Sequence, residues 1–545
     1  MTPTALSNTR ARAPLPATVD VAIVGAGLGG LVAGAYLARA GRRVAVFDAH
    51  YVAGGCCTMF TRKLPGAGRA HFDVGLHYVG DCGPGGAIPS ILADLGVDVR
   101  FRPMDSDGFD TLVFPDFRFR IPANLELYRD RLIALFPAEK RGIDAYVRLL
   151  REVDFLSGRM GAGGRPGLGV LFDVLRHGRL GARYQGHTIG RFLEDHVRDP
   201  KLRAVMLGQA GDYGLPPSKV SAMLHAGLAM HYFKGAYYPV GGGQVIADGL
   251  AAVIEGAGGS VHLRAPVERI LVRDGRAAGV RVQPRNGPAV EVAAGVVLSN
   301  ADLKRTLLEL VEPGALPADT LTRARGYEMA GAIFMTFLGL RGDLRDLGLT
   351  DTNYWAFDGY DFERFFGDGQ RDGPKAASIR GCYITSASLK DPDTPTHAPE
   401  GHQTLEIMAL VPGDFAAWGV RDPETLDAGR YGRAPAYQAI KEDIEANLVA
   451  RLDRLFPGAA ERIVYRESAT PVTHTRFTGA TGGTGYGLAA TPAQFLQHRP
   501  GYRGPLPGLY FCGASTRSGH GVVGAMMSGR AAARAVTKGL AGSGG

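Results

Sequence analysis

Near its N-terminus the chain reads VAIVGAGLGG and continues LVAGAYLARAGRRVAVFD. No other feature narrows the fold as much. Val21 to Val24 predict a buried strand, Leu31 to Ala40 a helix, and Val44 to Phe47 a second strand closed by Asp48. Gly25, Gly27 and Gly30 fit G-x-G-x-x-G between the first strand and the helix. Gly25 permits the tight turn, Gly27 lets the backbone approach a pyrophosphate, and Gly30 lets the helix pack hard on the strand. The helix N-terminus offers free N–H groups and partial positive charge to phosphates. Asp48 at the second strand's tip is placed to take the hydroxyls of an adenosine ribose. A lone glycine triplet is a weak signal, equally a ligand-free turn. Here strand, helix, second strand and acid agree, so Gly25, Ala26, Gly27, Gly30, Asp48 and Ala49 are candidate dinucleotide contacts.

The continuation AHYVAGGCCTMF adds a second glycine pair, Gly54 and Gly55, followed by Cys56. Such a pair so soon after the ribose acid is a flavin-type extension, because it lets the chain run along a bound cofactor. The C-terminal stretch GLYFCGASTRSGHGVVGAMMSGRAAARAV predicts a strand at Leu509 to Cys512, broken by Gly513. A turn with Gly519 and Gly521 then opens a small-residue helix from about Val522. A helix N-terminus there can stabilise the electron-rich end of an isoalloxazine. The alternative is a glycine-rich closing helix packed on the sheet. In the flavin reading both chain ends build one site, with Gly513, Ala514, Val522 and Val523 as further candidate contacts.

A chain of 545 residues exceeds a single core, so more than one domain is expected. The net charge is +8, but no Lys/Arg-dense run with interleaved aromatics occurs, which argues against nucleic acid. Cys56, Cys57, Cys82, Cys382 and Cys512 form no C-x-x-C, so free thiols in a reducing compartment are expected, with no metal site. The first 18 residues lack the apolar core of a signal peptide. No apolar run approaches the roughly 18 residues that span a bilayer. The expectation is a cytoplasmic protein, soluble or peripheral on the inner face of a membrane. Neither G-x-S-x-G nor H-E-x-x-H is present, which excludes those hydrolytic motifs and leaves the chemistry to a cofactor.

The middle of the chain organises the rest. Gly241 to Gly243 lead into a helix ending near Gly256, then strands at Ser260 to Leu263 and Val267 to Arg273. Asp274-Gly275 and Asn286-Gly287 turn the chain to Ala278 to Val282 and Glu291 to Leu298, the pattern of a β-meander. Apolar strands are expected at Gly331 to Leu340 and Thr404 to Val411, suited to roof a lipophilic cavity with no evident charged cluster. GDYGLPPSK at Gly211 to Lys219 and FTGATGGTGYG at Phe477 to Gly487 read as loops near that cavity. In GLGVLFDVLRHGRLGARY, Val170, Leu171, Val174 and Leu175 share a helical face bordered by Arg176, Arg179 and Arg183. That pattern suits either a membrane surface or a core-facing helix with a basic solvent face.

AGGCC at Ala53 to Cys57, FDVGLHYVG at Phe72 to Gly80, the glycine triplet and the late strand together resemble the phytoene desaturase, carotenoid isomerase and retinol saturase group of flavoproteins, closest to the retinol saturase-like branch. Cys56 stands where desaturases proper and amine oxidases usually carry Arg. Ala514 and Ser515 stand where the family often has an acid or amide.

The resemblance implies an amine-oxidase-like α/β flavoprotein fold: a discontinuous Rossmann-like FAD-binding domain with a β-meander, plus an α+β substrate domain. The expected bounds are an arm over 1–18, the FAD domain over 19–100, 236–303 and 505–540, and the substrate domain over 101–235 and 304–504. It also implies FAD, an adenine contact through the Val267 backbone, and a lipophilic polyene substrate, carotenoid or retinoid. The electron donor or acceptor stays open, with NAD(P)H a candidate donor. His77 and Tyr78 fall in the family motif near the flavin, and Tyr486 and His520 in glycine-rich segments that reach the same place. These four are the candidate catalytic residues, as proton donors or cation stabilisers. Saturase, desaturase and isomerase activities all fit this reading. A flavin amine oxidase and a non-catalytic prenyl-lipid carrier are the competing classes.

Overall fold

The computed structural model describes residues 14–161, 176–420 and 429–542. The N-terminal pattern folds as its periodicity requires. β1 (Thr18–Val24) leads through the glycine turn into α1 (Leu28–Arg39), and β2 (Val44–Asp48) returns parallel to β1. Both strands are apolar runs because helices cover the sheet. Gly34 exists for that packing: a Cβ there would lie 2.9 Å from Ile254 Cδ1 of the helix Gln244–Gly256.

β1 and β2 belong to a seven-stranded sheet. Its order is Ser260–Leu263, β2, β1, Val290–Ser299, Arg276–Val282, Val267–Arg273, with Leu509–Phe511 also pairing Val290–Ser299. The three meander strands are antiparallel, and Asp274 and Gly275 both take positive φ in the turn between the first two, as a tight hairpin requires. The last meander strand runs parallel to β1 along one edge. On its other edge the first half pairs with Arg276–Val282 and the end pairs in parallel with Leu509–Phe511. The N-terminal unit, the middle segment and the C-terminal strand therefore share one sheet. The C-terminal helix Gly521–Gly542 crosses α1 closely, since a Cβ at Gly529 would lie 2.3 Å from Gly29 O.

A second seven-stranded sheet has the order Ile463–Ala469, Ala332–Arg341, His402–Val411, Gly381–Thr385, Asn353–Phe357, Asp110–Val113, Arg118–Ile121. Its pairs are antiparallel except Asp110–Val113 on Asn353–Phe357. The hairpin Met59–Leu64 and Gly68–Asp73 lays Leu64, Ala70 and Phe72 against Met335 and Phe337 of this sheet. Helices Leu125–Leu135, Ile189–His196 and Ala222–Phe233 pack on its other end in one apolar cluster. Among the described residues no helix is long and apolar enough to cross a membrane. Val170, Leu171, Val174 and Leu175 lie outside the described residues. The basic end of that stretch forms a short helix, Arg179–Tyr184.

Candidate active site

The glycine turn is held from two sides. Gly25 takes φ +95°, and its N–H donates to Phe47 O at 2.8 Å, which ties the turn to β2. A Cβ at Gly30 would lie 2.3 Å from Gly25 O, so only glycine allows this entry into α1. Asp48, half-buried at the tip of β2, accepts the Ala26 N–H at 2.6 Å and the His50 N–H at 2.7 Å. Each carboxylate oxygen keeps a lone pair for a hydroxyl. Burial pushes the Asp48 carboxyl up, and the two backbone N–H groups oppose that shift. Ala49 is exposed beside it. Arg264 and Ala265 donate their N–H groups to His50 O and Asp48 O at 2.8 Å each, which brings Val267, at the head of its strand, close to the same tip.

The second glycine pair folds back onto the first. Gly54 N–H donates to Ala26 O at 2.8 Å, and Gly54 bridges Gly27. Cys56 is exposed yet crowded by protein, and that crowding pushes its thiol up to about 11. Cys56 is therefore un-ionised at neutral pH. From the other end, Gly513 N–H donates to Ser528 Oγ at 2.7 Å, and a Cβ at Gly29 would lie 2.9 Å from Gly513 N. Asn300, at the end of the last meander strand, fills the space between. Added Cβ atoms at Gly27, Gly29 and Gly513 would meet its amide at 2.7, 2.5 and 2.9 Å.

These residues fit a flavin dinucleotide. α1 has no side-chain cap and no acid in its first turn, so its N-terminal N–H groups face the glycine turn uncapped. The C-terminal helix likewise has no acid in its first turn, where Val522 and Val523 are half-buried. Arg499 is fully buried and donates to Leu488 O and Ala514 O at 2.9 Å each, while its Nε and Nη1 have no partner. No carboxylate pairs with it among the described residues, and burial lowers its guanidinium to about 10. A buried cation with spare donors suits an anionic group beside Ala514.

The start of the C-terminal helix borders a cavity of about 580 Å³. His77, Tyr78, Tyr486 and His520 all line it, together with Val522 and Val523. The rest of the wall is largely apolar, with Met223, Leu228, Ile333, Trp355 and Met408. His77 is buried, and neither ring nitrogen has a partner. Burial, with the nearby Lys390 charge, pushes its imidazole down to about 3, so it is neutral at pH 7. The Lys390 ammonium donates to the His77 carbonyl. His520 is also pushed down to about 3 by burial and sits 5.3 Å, ring to ring, from Tyr486.

Tyr78 is committed elsewhere. Its ring stacks on Tyr232 at 4.4 Å, and its hydroxyl oxygen lies 2.7 Å from Asp212 Oδ2 and 3.1 Å from Asp110 Oδ2. Burial pushes Asp212 up to about 7 and Asp110 up to about 6. This carboxyl pair corrects the expectation of a cavity without a charged cluster. Asp212 falls in the Gly211 to Lys219 loop already marked by its Gly and Pro content, but neither acid carries a local signal. Asn300 and Arg499 were equally silent.

The family described as flavin-containing amine oxidoreductase matches residues 28–537. The chain belongs to that family. This amine oxidoreductase family member is a flavin-dependent oxidoreductase. It is 29% identical over 502 residues to an all-trans-retinol 13,14-reductase of Danio rerio, covering 87% of this chain and 78% of that protein. It is 27% identical over 523 residues to a neurosporene-forming phytoene desaturase of Cereibacter sphaeroides, covering 93% and 92%. The expected kinship with retinol saturases and phytoene desaturases therefore holds. The cyclohexylamine oxidase of Brevibacterium oxydans IH-35A shares the fold, with a TM-score of 0.58 at 16% identity over 96% of this chain and 100% of that one. The amine-oxidase-like fold expected from sequence is the one observed.

Proposed function

We propose that this flavoprotein acts on carbon–carbon double bonds of a lipophilic conjugated isoprenoid, a carotenoid or retinoid. The observation that carries this reading is the cavity: largely apolar walls meet the start of the C-terminal helix, where His77, Tyr486 and His520 gather, while Asp81, Asp154 and Lys234 also line it. Two relatives are named for a retinol reductase and a phytoene desaturase, which supports the substrate class. A polyene binds by burying apolar area, at roughly 25 cal/mol per Å², so few polar contacts are needed to hold it.

FAD would be held by Gly25, Ala26, Gly27, Gly30, Asp48 and Ala49 at its dinucleotide end. Val267 would contact the adenine, and Gly54, Gly55, Cys56, Gly513, Ala514, Val522 and Val523 the rest. When bound, the flavin supplies hydride chemistry beside the cavity. The chain's own residues do the remainder. The apolar wall orients the polyene and excludes water, neutral His77 and His520 flank the reacting carbon, and Tyr486 packs on His520. In this reading the first sheet, from 19–100, 236–303 and 505–540, is the FAD domain, and 101–235 with 304–504 is the substrate domain. The five free thiols support a reducing, cytoplasmic setting. The basic charge and the exposed Leu127, Leu135 and Phe155 support peripheral membrane contact.

Retinol, lycopene and phytoene in liposomes, supplied anaerobically with reduced or oxidised enzyme, test the reading by product mass. The fold shared with cyclohexylamine oxidase keeps amine oxidation as the second reading. Release of aldehyde and peroxide from primary amines, with no polyene consumed, would establish it instead.

A further inference from the structure

We propose that Asp212 is the acid–base residue of the cavity, exchanging a proton with the substrate carbon next to the one that exchanges hydride, and that Tyr78 links it to Asp110. This rests on the double-bond reading above. Tyr78 Oη lies 2.7 Å from Asp212 Oδ2 and 3.1 Å from Asp110 Oδ2. A tyrosine hydroxyl carries one hydrogen and can satisfy one carboxylate. The second close contact needs a proton on the other carboxyl, donated back to Oη.

The neighbours say which acid holds it. Asp110 is fully buried and accepts Asn353 Nδ2–H at 2.9 Å and Gln209 Nε2–H at 2.8 Å, the surroundings of an ionised carboxylate. Among the described residues no amide reaches the Asp212 carboxyl, whose partners are the Tyr78 and Tyr232 hydroxyls. The proton therefore sits on Asp212, which donates to Tyr78, which donates to Asp110. Asp212 lines the cavity and Asp110 does not. Facing Asp212 are Asp110, Tyr78, Tyr232, Tyr383, Tyr486 and His520. None carries a positive charge at neutral pH, so only the Tyr78 and Tyr232 hydroxyls oppose the cost of a second carboxylate. Burial and the Asp110 charge accordingly raise Asp212 to about 7. The three cavity histidines, His77 and His520 held down to about 3 and His231 to about 4, are poor proton donors by comparison.

In the reducing direction, one alkene carbon would take the hydride that bound two-electron-reduced flavin supplies, and Asp212 would supply the proton to its neighbour. The π pair forms the second C–H bond with the Asp212 proton. The alkene gains two electrons and two hydrogens, the flavin is oxidised, and Asp212 is left as carboxylate until a solvent proton restores it. Desaturation runs the same atoms backwards, with the carboxylate as base. A low-potential reductant such as dithionite reloads the flavin.

The test uses the FAD-loaded full chain. Infrared titration of the wild type is expected to show a protonated-carboxyl band at pH 7 that is missing in Asp212→Asn. In Asp110→Asn the band's midpoint is expected to move to lower pH, because the repelling charge is gone. In single turnovers with dithionite-reduced enzyme, Asp212→Asn is expected to slow flavin reoxidation by the polyene about 100-fold or more. Its flavin content is expected to stay at the wild-type level, and the wild-type loss of rate above pH 7 to vanish. No such band in the wild type, or an Asp212→Asn rate within about threefold of wild type, overturns the proposal. A wild type silent toward every polyene would instead overturn the double-bond reading, and the infrared band would then decide the shared proton alone.

Discussion

The Asn300 amide fills the space that a side chain at Gly27 would need, 2.7 Å from where a Cβ would stand. The glycine turn is thus fitted to its own protein neighbour. Gly27→Val is expected to purify with little or no yellow flavin. Gly256→Ala, at a helical site with nothing within 4 Å, is expected to keep it. Absorbance of the purified proteins checks both. Full flavin content in Gly27→Val would contradict the site.

Arg499 gives a prediction about redox potential. It is a buried cation beside Ala514, with no carboxylate partner among the described residues. Replacing it with Met removes positive charge near the flavin and is expected to lower the two-electron potential. A tenfold loss in stabilising the reduced form corresponds to about 30 mV. A redox titration of both proteins measures the shift, and an unchanged potential would separate Arg499 from the cofactor.

His77 separates catalysis from cofactor binding. With both ring nitrogens unpartnered and its carbonyl held by Lys390, it faces the cavity. His77→Ala is expected to slow flavin reoxidation by a polyene far more than it lowers FAD content. Parallel stopped-flow traces and flavin counts check this.

The Asp110–Asp212 pair makes stability depend on pH. Both folded carboxyls lie above their usual 3.8, at about 6 and about 7. A raised acid contributes stability at low pH that is lost as pH climbs through its folded value. The wild type is therefore expected to lose stability between about pH 4 and pH 8, and Asp212→Asn to lose less. The difference is on the order of 1.4 kcal/mol per pKa unit. Urea unfolding at several pH values measures it.

Binding to anionic liposomes is expected at low salt and is expected to weaken as salt rises. Co-sedimentation at two ionic strengths checks it. No binding at low salt removes membrane contact from the account.

The parts of this protein legible in its sequence were those set by short-range chemistry. Strands Ser260–Leu263 and Val267–Arg273 begin and end where expected, because alternation and an Asp-Gly turn fix them locally. The glycine turn and Asp48 were legible for the same reason, since one βαβ unit holds them all. His77 and Tyr78 were found through the family motif and Tyr486 and His520 through glycine-rich context, and all four share one cavity. Asp110 and Asp212 were not legible: one lies in a strand of the second sheet and the other in a short turn, and only tertiary packing brings both to Tyr78. Asn300 and Arg499 likewise gain meaning only from distant glycines and carbonyls. The hairpin at Met59–Asp73 packs on the second sheet, which chain order did not indicate.

The most direct test of the central claim is anaerobic mixing of flavin-reduced protein with retinol, lycopene or phytoene in liposomes. The account predicts that the oxidised-flavin band returns in step with a product two hydrogens heavier than the polyene. Reduced flavin that stays reduced with every polyene, together with oxidised flavin that bleaches on adding a primary amine, would contradict it.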